Sequence, residues 1–500
     1  MSVQPLVLAA ALLLLAGVLA SKTSSRIGVP GLLLFIGIGM LAGSDGIVGI
    51  EFDDFDLTRS FGIVALAYIL FSGGLGTRFV DIRPVLAPGL ALASVGVLVT
   101  TGLLGWAASM VLGLTLTEGL LLAAIISSTD AAAVFSILRS SGTRIRPRVG
   151  SMLELESGSN DPAAVFVTIA LITYITEDGA SILGFVASFV AQMGLGALLG
   201  YVLARAAVWC INRLQLDNDG LYPVFTVAFV LLTLEGVTWV GGSGFLAVYV
   251  AGVTMAHHDY LHKRSLVRFH DAIAWLLQIA MFVLLGLLVF PDQLPEVAVQ
   301  AVVIAGLLMF LARPIAVGLT LLPFRLPARE IGFVSWVGLR GATPIILATF
   351  PVAAGVPDAE RIFDVVFFVV LTSVLVQGAS IPFAARRFGM VEDGTTPRPV
   401  SFDTVITGDE GPRLREIVVE PGADAVGRQL VELGLPRGLL VVLVRRGPTT
   451  FMPQGSTTIE EGDELLVAVE REYDDEVITW FRSAEPVAER DERVSDPEGD

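Results

Sequence analysis

The chain has 500 residues, 54% of them apolar, with a mean hydropathy of +0.75, which is more apolar surface than a soluble globular chain buries. Its formal charge of −17 is uneven: residues 1–387 hold 21 Lys and Arg against 24 Asp and Glu (net −3), and residues 388–500 hold 11 against 25 (net −14). This is the pattern of a polytopic membrane protein with a separate acidic soluble tail; the acidic balance excludes nucleic acid as an expected partner, and the single cysteine, Cys210, excludes an intramolecular disulfide or a multi-cysteine metal site.

A spanning helix needs roughly 20 mainly apolar residues. Thirteen candidates follow in chain order: 3–20, 28–43, 61–75, 86–112, 117–138, 152–176, 181–210, 221–240, 243–256, 271–290, 297–322, 330–352 and 362–385. Val18-Leu19-Ala20 resembles a signal-cleavage site. No Lys or Arg precedes that apolar run, however, while Lys22 and Arg26 follow it, so it reads as a retained first span entering from outside.

Lys and Arg in short loops favour the cytoplasmic side. With the N-terminus outside, the inward loops hold Lys22 and Arg26; Arg78 and Arg83; Arg139, Arg144, Arg146 and Arg148; Arg205 and Arg213; Lys263, Arg264 and Arg268; Arg313, Arg325 and Arg329; and Arg386 and Arg387. The outward loops hold only Arg59 and Arg361, amid Asp53, Asp54, Asp56, Glu177 and Asp178. One missed span would invert this alternation, so thirteen spans and a cytoplasmic tail are expected.

An odd count suits two inverted repeats of six joined by a linking helix. Spans five and twelve, the fifth members of the two halves, both carry interruptions: Ser127-Ser128-Thr129-Asp130 in one and Gly338-Leu339-Arg340-Gly341-Ala342-Thr343-Pro344 in the other. Gly and Pro there make an unwound segment physically plausible.

Beyond the last span, 388–411 reads as a linker and the period changes. Strands are expected at 415–420, 438–445 and 464–470, with a short helix at 427–434 and turns at Gly447-Pro448 and Glu461-Gly462-Asp463. The domains are therefore a membrane domain at 1–387, the linker, a small cytoplasmic α+β module at 412–484 and an acidic, disordered tail at 485–500.

The candidate chemistry lies in Leu153-Glu154-Leu155-Glu156-Ser157-Gly158-Ser159-Asn160-Asp161-Pro162, read as the head of span six. Ionisable groups at membrane depth are costly and usually face an aqueous pathway or one another. Residues four apart share a helix face, which places Glu156 under Asn160 and Ser157 under Asp161. Oxygen-rich clusters of this kind suit a hard cation, and proton and cation can then compete for the same oxygens. Asp161 before Pro162 could instead merely cap the helix, and Thr129 and Ser157 could merely bond backbone.

Asp130 can compensate the positive half-helix ends at the interruptions. Arg340, which stays charged and so cannot carry the proton, can compensate the negative ends or neutralise Glu156. If it pairs with Glu156, Asp161 is left as the titrating carboxylate, and one proton per monovalent cation means electroneutral exchange. The four histidines, His257, His258, His262 and His270, cluster near one inward loop; a solvated basic loop is expected rather than a metal pair or pH sensor. Gly73-Gly74-Leu75-Gly76 lacks the spacing of a nucleotide-binding turn.

Three segments, Ser128-Thr129-Asp130, Glu156-Ser157-Gly158-Ser159-Asn160-Asp161-Pro162 and Gly338-Leu339-Arg340-Gly341, together resemble the first family of monovalent cation/proton antiporters, which includes sodium/proton exchangers. The resemblance covers roughly residues 1–387. It implies an all-α polytopic homodimer of thirteen-helix chains in a lipid bilayer, with an inverted repeat and crossed unwound helices. It also implies ion ligands at Asp161, Asp130, Ser157 and Thr129, a structural pair of Glu156 with Arg340, and Asn160 as the mark of electroneutral exchange.

The tail resembles the C-terminal module of potassium-conductance regulators (RCK-C, or TrkA-C), through Glu416-Ile417-Val418-Val419, Gly427-Arg428-Gln429-Leu430, Leu435-Pro436-Arg437-Gly438 and Glu461-Gly462-Asp463-Glu464-Leu465. That resemblance implies K+ rather than Na+ as the exchanged cation and regulation by the tail. The nucleotide-binding RCK-N domain that precedes it in that family has no counterpart here, which leaves a small cytosolic ligand, a cyclic dinucleotide among the options. No cofactor or resident metal is expected beyond the transported cation and H+. A potassium channel would need a filter such as Thr-Val-Gly-Tyr-Gly, and an intramembrane aspartyl protease using Asp130 and Asp161 would leave Arg340 without a role. A cation/proton antiporter of the cell membrane, not an enzyme, is the expectation.

Overall fold

The computed structural model describes residues 8–20, 31–43, 46–177, 182–289, 294–392 and 413–469, apart from a few positions within those ranges. Lys22, Arg26, Asp53, Arg78 and Asp178, the linker over 393–411 and the acidic tail over 485–500 lie outside the described residues. The chain divides into two compact units, Met1–Glu392 and Asp393–Asp500.

Thirteen helical spans make up the described part of the first unit. In order they are α1 (Ala11–Ala20), α2 (Gly31–Ala42), α3 (Phe55–Gly76), α4 (Phe79–Leu112), α5a (Leu116–Ile125) with α5b (Ala131–Ser140), α6 (Pro147–Thr176) and α7 (Ile182–Leu214). They continue as α8 (Leu221–Trp239), α9 (Gly244–His257), α10 (Lys263–Leu287), α11 (Pro295–Phe324), α12a (Ala328–Trp336) with α12b (Thr343–Ala353), and α13 (Ala359–Arg387). By length and composition, seven are long and apolar enough to cross a membrane: α3, α4, α7, α8, α10, α11 and α13. The others are short or broken, except α6. That helix has the length but carries Arg148, Glu154, Glu156 and Asp161 along it.

The two halves share two irregularities. The fifth span of each is broken, and the fourth of each, α4 and α11, contains a π-helical turn, at Leu92–Gly96 and Leu308–Ala312. Small residues let the helices approach closely, as packing within a bilayer requires. A Cβ on Gly39 of α2 would lie 2.2 Å from the Val283 carbonyl oxygen of α10, and one on Gly286 would lie 2.3 Å from the Ile36 carbonyl oxygen. Around the breaks the core is fully buried aliphatic packing, including Leu121, Leu122 and Ile125 of α5a and Ile345 and Leu347 of α12b. Trp106, Met110, Val190, Leu198 and Phe310 are instead exposed, the apolar outer surface that a bilayer covers.

Two of the boundaries that differ from the sequence reading bear on the site. Helix α6 starts at Pro147, with Pro as a favourable first residue, so the Glu154–Pro162 stretch is helix interior rather than a helix head. Asp161 therefore caps nothing. Pro344 does not lie within the second break; it opens α12b, where its missing N–H costs nothing.

In the second unit, β1 (Arg413–Val418), β2 (Leu439–Arg446), β3 (Thr449–Phe451) and β4 (Glu464–Val469) form an antiparallel sheet in the order β1-β4-β2-β3. The helix expected over 427–434 is a four-residue 3-10 turn, Leu430–Leu433, ended by Gly434 at a φ of 58°. Strand β3 was not anticipated, because only three residues follow the Gly447 turn and its register is set by pairing with Val444–Arg446.

Candidate functional site

The helical hydrogen bonding of span five stops at Ile125 and resumes at Ala131; that of span twelve stops at Trp336 and resumes at Thr343. Each break leaves carbonyls at one half-helix end and N–H groups at the other without helical partners. The two breaks touch, since the Asp130 N–H donates to the Leu339 carbonyl at 2.8 Å. Asp130 Oδ1 accepts from the Ala133 N–H at 2.9 Å, capping the positive start of α5b.

Arg340 serves the opposite pole. Its Nη1 donates to the carbonyls of Ser127 and Ser128 at 2.7 and 2.5 Å, just past the negative end of α5a. Its own N–H donates to Ser373 Oγ at 3.1 Å, which donates to Gln377 Oε1 at 2.6 Å, and Gln377 Nε2 reaches the Trp336 carbonyl at 2.8 Å. Of the two roles open to Arg340 in the sequence, compensation of helix ends is the one seen.

Glu156 is paired elsewhere. Its Oε1 lies 2.6 Å from Nη1 of Arg313, both side chains being buried. This corrects the expected Glu156–Arg340 pair. Arg313 reads as a loop charge in the sequence, but it lies inside α11, where a buried guanidinium must find a carboxylate. The signal was available, since Arg313 falls within the apolar run assigned to that span.

Helix α6 is tied to the first break by two polar side chains. Ser157 Oγ donates to the Thr129 carbonyl at 2.8 Å and accepts from the Ala131 N–H at 3.1 Å. Asn160 Nδ2 donates to Thr129 Oγ1 at 2.7 Å, and its Oδ1 accepts from the Thr129 N–H at 3.4 Å. Asp161, one residue on, receives Thr343 Oγ1 on its Oδ2 at 3.2 Å. Its Oδ1 is buried and makes no hydrogen bond among the described residues. Thr343 thus joins the site, although its sequence neighbourhood pointed only to a helix break.

Asp130, Ser157, Asp161 and Thr343 line a cavity of about 910 Å³ whose wall runs on to Arg139, Ser140 and Ser141 at the far end of α5b. Gly341 is where the breaks press together: a Cβ there would sit 2.1 Å from Asp130 Oδ2. The cavity and the crossing thus bring Asp130, Thr129, Ser157, Asn160 and Asp161 together, with Arg340 behind them.

His257 and His258 are ring neighbours, with centroids 5.6 Å apart, but the histidines take different partners. His270 is buried in α10 and bonded through Nε2 to Thr226 Oγ1 at 2.8 Å, His258 Nδ1 is 2.8 Å from the Thr254 carbonyl oxygen, and His262 faces Asp219 at 3.4 Å. Gly73–Gly76 form the last turn of α3.

Residues 10–387 match the family described as "Sodium/hydrogen exchanger, transmembrane". The chain belongs to the sodium/hydrogen exchanger family. Its residues 414–482 match the TrkA-C domain. This exchanger-family protein is 41% identical over 470 residues to the K(+)/H(+) antiporter NhaP2 of Shewanella sp. (strain ANA-3), covering 93% of this chain and 81% of the relative. It is 47% identical over 380 residues to the K(+)/H(+) antiporter NhaP of Alkalimonas amylolytica, covering 76% and 66%. Its fold is similar to that of the sodium proton antiporter MjNhaP1 from Methanocaldococcus jannaschii, with a TM-score of 0.68 at 23% identity over 78% of this chain and 99% of that one. The exchanger-family chain is a multi-pass membrane transporter and not an enzyme.

Proposed function

We propose that this exchanger-family protein is a K+/H+ antiporter that releases cytoplasmic K+ in exchange for external H+. Asp161 is the carrier for which proton and cation compete. The observation that carries the reading is the state of that carboxylate: it faces the cavity with one oxygen held by Thr343 and the other making no hydrogen bond among the described residues. A hard cation is bound through such oxygens. A loaded carboxylate is neutralised by either cargo, and a bare one is costly to move through a low-dielectric barrier.

Asp130 is the second carboxylate of the site. Ser157 and Thr129 contribute as cation ligands through oxygen lone pairs, although both hydroxyls also hold the crossing together. Asn160 keeps the neighbouring position neutral, so one carboxylate exchanges one proton for one cation electroneutrally. The cavity wall ends at the Arg139 loop, which the loop-charge rule assigns to the cytoplasm. The protein accordingly sits in the cell membrane with its N-terminus outside and the TrkA-C domain, placed at 412–484 after a linker, in the cytoplasm. There the domain regulates exchange, with a cyclic dinucleotide as its candidate ligand, and the chain works as a homodimer.

Na+ in place of K+ is the second reading, favoured by the family description and by the likeness to MjNhaP1. The test is dequenching of a trapped pH dye in inverted vesicles on adding K+ or Na+, with wild type and Asp161→Ala. The K+ reading expects a wild-type response to K+ that the variant lacks. A response to Na+ alone selects the second reading, and silence to both cations overturns exchange.

A further inference from the structure

Glu154 has no part in the exchange chemistry above, yet it is placed to meet the cargo. Residues at i, i+3, i+4 and i+7 share one helix face, and Glu154, Ser157, Gly158 and Asp161 form such a stripe on α6, all of it on the cavity wall. Seven residues at 1.5 Å each put Glu154 about 10 Å from Asp161 along the axis, toward the Pro147 end.

Tyr249 of α9 lines the same cavity. Its ring is seated so tightly on α6 that a Cβ at Gly158 would lie 2.3 Å from Cε2. Tyr249 is only 4% exposed, and its hydroxyl makes no hydrogen bond among the described residues. Glu154 acts on it through its charge, and the Thr77 side chain lies close to it. A buried hydroxyl left without a partner is costly, so such groups call for an explanation. On the cavity wall as well, Ser72 Oγ of α3 donates to Asp271 Oδ1 of α10 at 2.6 Å. These carboxylates, hydroxyls and a phenol without a hydrogen bond among the described residues share the wall of one cavity, whose lining also includes Arg139.

We propose that Glu154 and the Tyr249 hydroxyl, with the Ser72–Asp271 pair, form a second cation station in the cavity. There a monovalent cation exchanges part of its hydration shell for protein oxygens before reaching Asp161. The station rests on the antiport reading and adds to it a place where cytoplasmic cation is gathered. A carboxylate in a cleft with low-dielectric walls raises the local cation concentration, so its loss weakens capture more than turnover.

The test is the K+ dependence of exchange by the full-length protein in inverted vesicles at fixed pH, for wild type, Glu154→Gln, Glu154→Asp, Tyr249→Phe and Asp161→Ala. The expected result is a half-saturating K+ concentration raised about fivefold or more in Glu154→Gln, with the maximal rate within about twofold of wild type. Tyr249→Phe should raise it about two- to threefold, and Glu154→Asp should restore most of the wild-type value. An unchanged half-saturation in Glu154→Gln, or a fallen maximal rate with half-saturation unchanged, overturns the station. Should Glu154→Gln fail to reach the membrane, an unchanged Tyr249→Phe overturns it equally. Silence of the wild type toward K+ and Na+ is a separate outcome that removes the antiport reading, while Asp161→Ala is silent at every K+ concentration if that reading holds.

Discussion

Glu156 of α6 and Arg313 of α11 form an ion pair of 2.6 Å with both side chains buried. Removing one member of such a pair leaves an uncompensated charge and costs about 3–5 kcal/mol, whereas replacing both with apolar groups of similar volume is often neutral. Glu156→Ala and Arg313→Ala should therefore each lower the yield and thermal stability of detergent-solubilised protein. The double variant Glu156→Leu/Arg313→Met should recover most of that loss. Thermal unfolding of the four proteins checks this, and additive losses in the double variant would show that the pair is not the reason for the single defects.

Gly341 leaves no room for a methyl group against Asp130, since its Cβ would lie 2.1 Å from Oδ2. Gly341→Ala must displace the Asp130 carboxylate or part the two breaks. Exchange should fall by about tenfold or more, because small misplacements at a reacting centre are amplified in rate, while the protein still assembles in the membrane. Vesicle exchange assays matched for protein content measure this; a wild-type rate would place Asp130 outside the transport chemistry.

Asn160 offers Thr129 both a donor and an acceptor. Asn160→Asp keeps the shape but puts a second carboxylate one residue from Asp161. The expected outcome is exchange that becomes sensitive to membrane potential, because the two carboxylates now exchange more than one proton per cation. Comparing dye responses with and without a potassium-independent imposed potential reads the change, and potential-insensitive exchange in the variant would remove Asn160 from the stoichiometry.

In the tail, Arg446 clamps Asp463 with two bonds of 2.8 Å, from Nε and Nη2, and the Glu460 N–H adds a third at 2.9 Å. Burial raises the Asp463 carboxyl, but these hydrogen bonds and the guanidinium charge outweigh it and hold the group below its ordinary value. A carboxyl depressed on folding stabilises the fold above its unfolded value, about 3.9, and that stability is lost as the pH falls through the lower folded value. Tail stability should be flat from neutral pH down to about pH 5 and decline below about pH 4. Asp463→Asn should flatten the decline. Hydrogen exchange of β2 and β4 in the full-length protein, corrected for intrinsic rates, measures both.

Much of this was legible in the sequence, for physical reasons. Apolar runs broken by charged loops delimit helices whatever their packing, so the thirteen helical segments of the described residues, counting each broken pair once, could all be located. The Ser127–Asp130 and Gly338–Pro344 interruptions stand out because polar and helix-breaking residues are rare at membrane depth. Pairing was less legible. Glu156 could be matched to Arg340 or Arg313 only by knowing which faces of α11 and α12 point inward, and that is settled by packing across more than 150 residues of chain. Tyr249 and Thr343 were missed because a tyrosine in an apolar run and a threonine beside a proline read as scaffold. Their meaning lies in what faces them.

The contact between the breaks bears on how cargo crosses. Arg340 fastens span twelve to the end of α5a, the Asp130 N–H fastens α5b to Leu339, and Ser157 and Asn160 fasten α6 to the same turn. Unfastening any of these would strand buried polar groups, so the knot of three helices has to travel as a single mechanical part. A spectroscopic ruler between α5a and α12b should accordingly read one distance throughout the transport cycle, while rulers from the knot to α3, α9 or α10 read two.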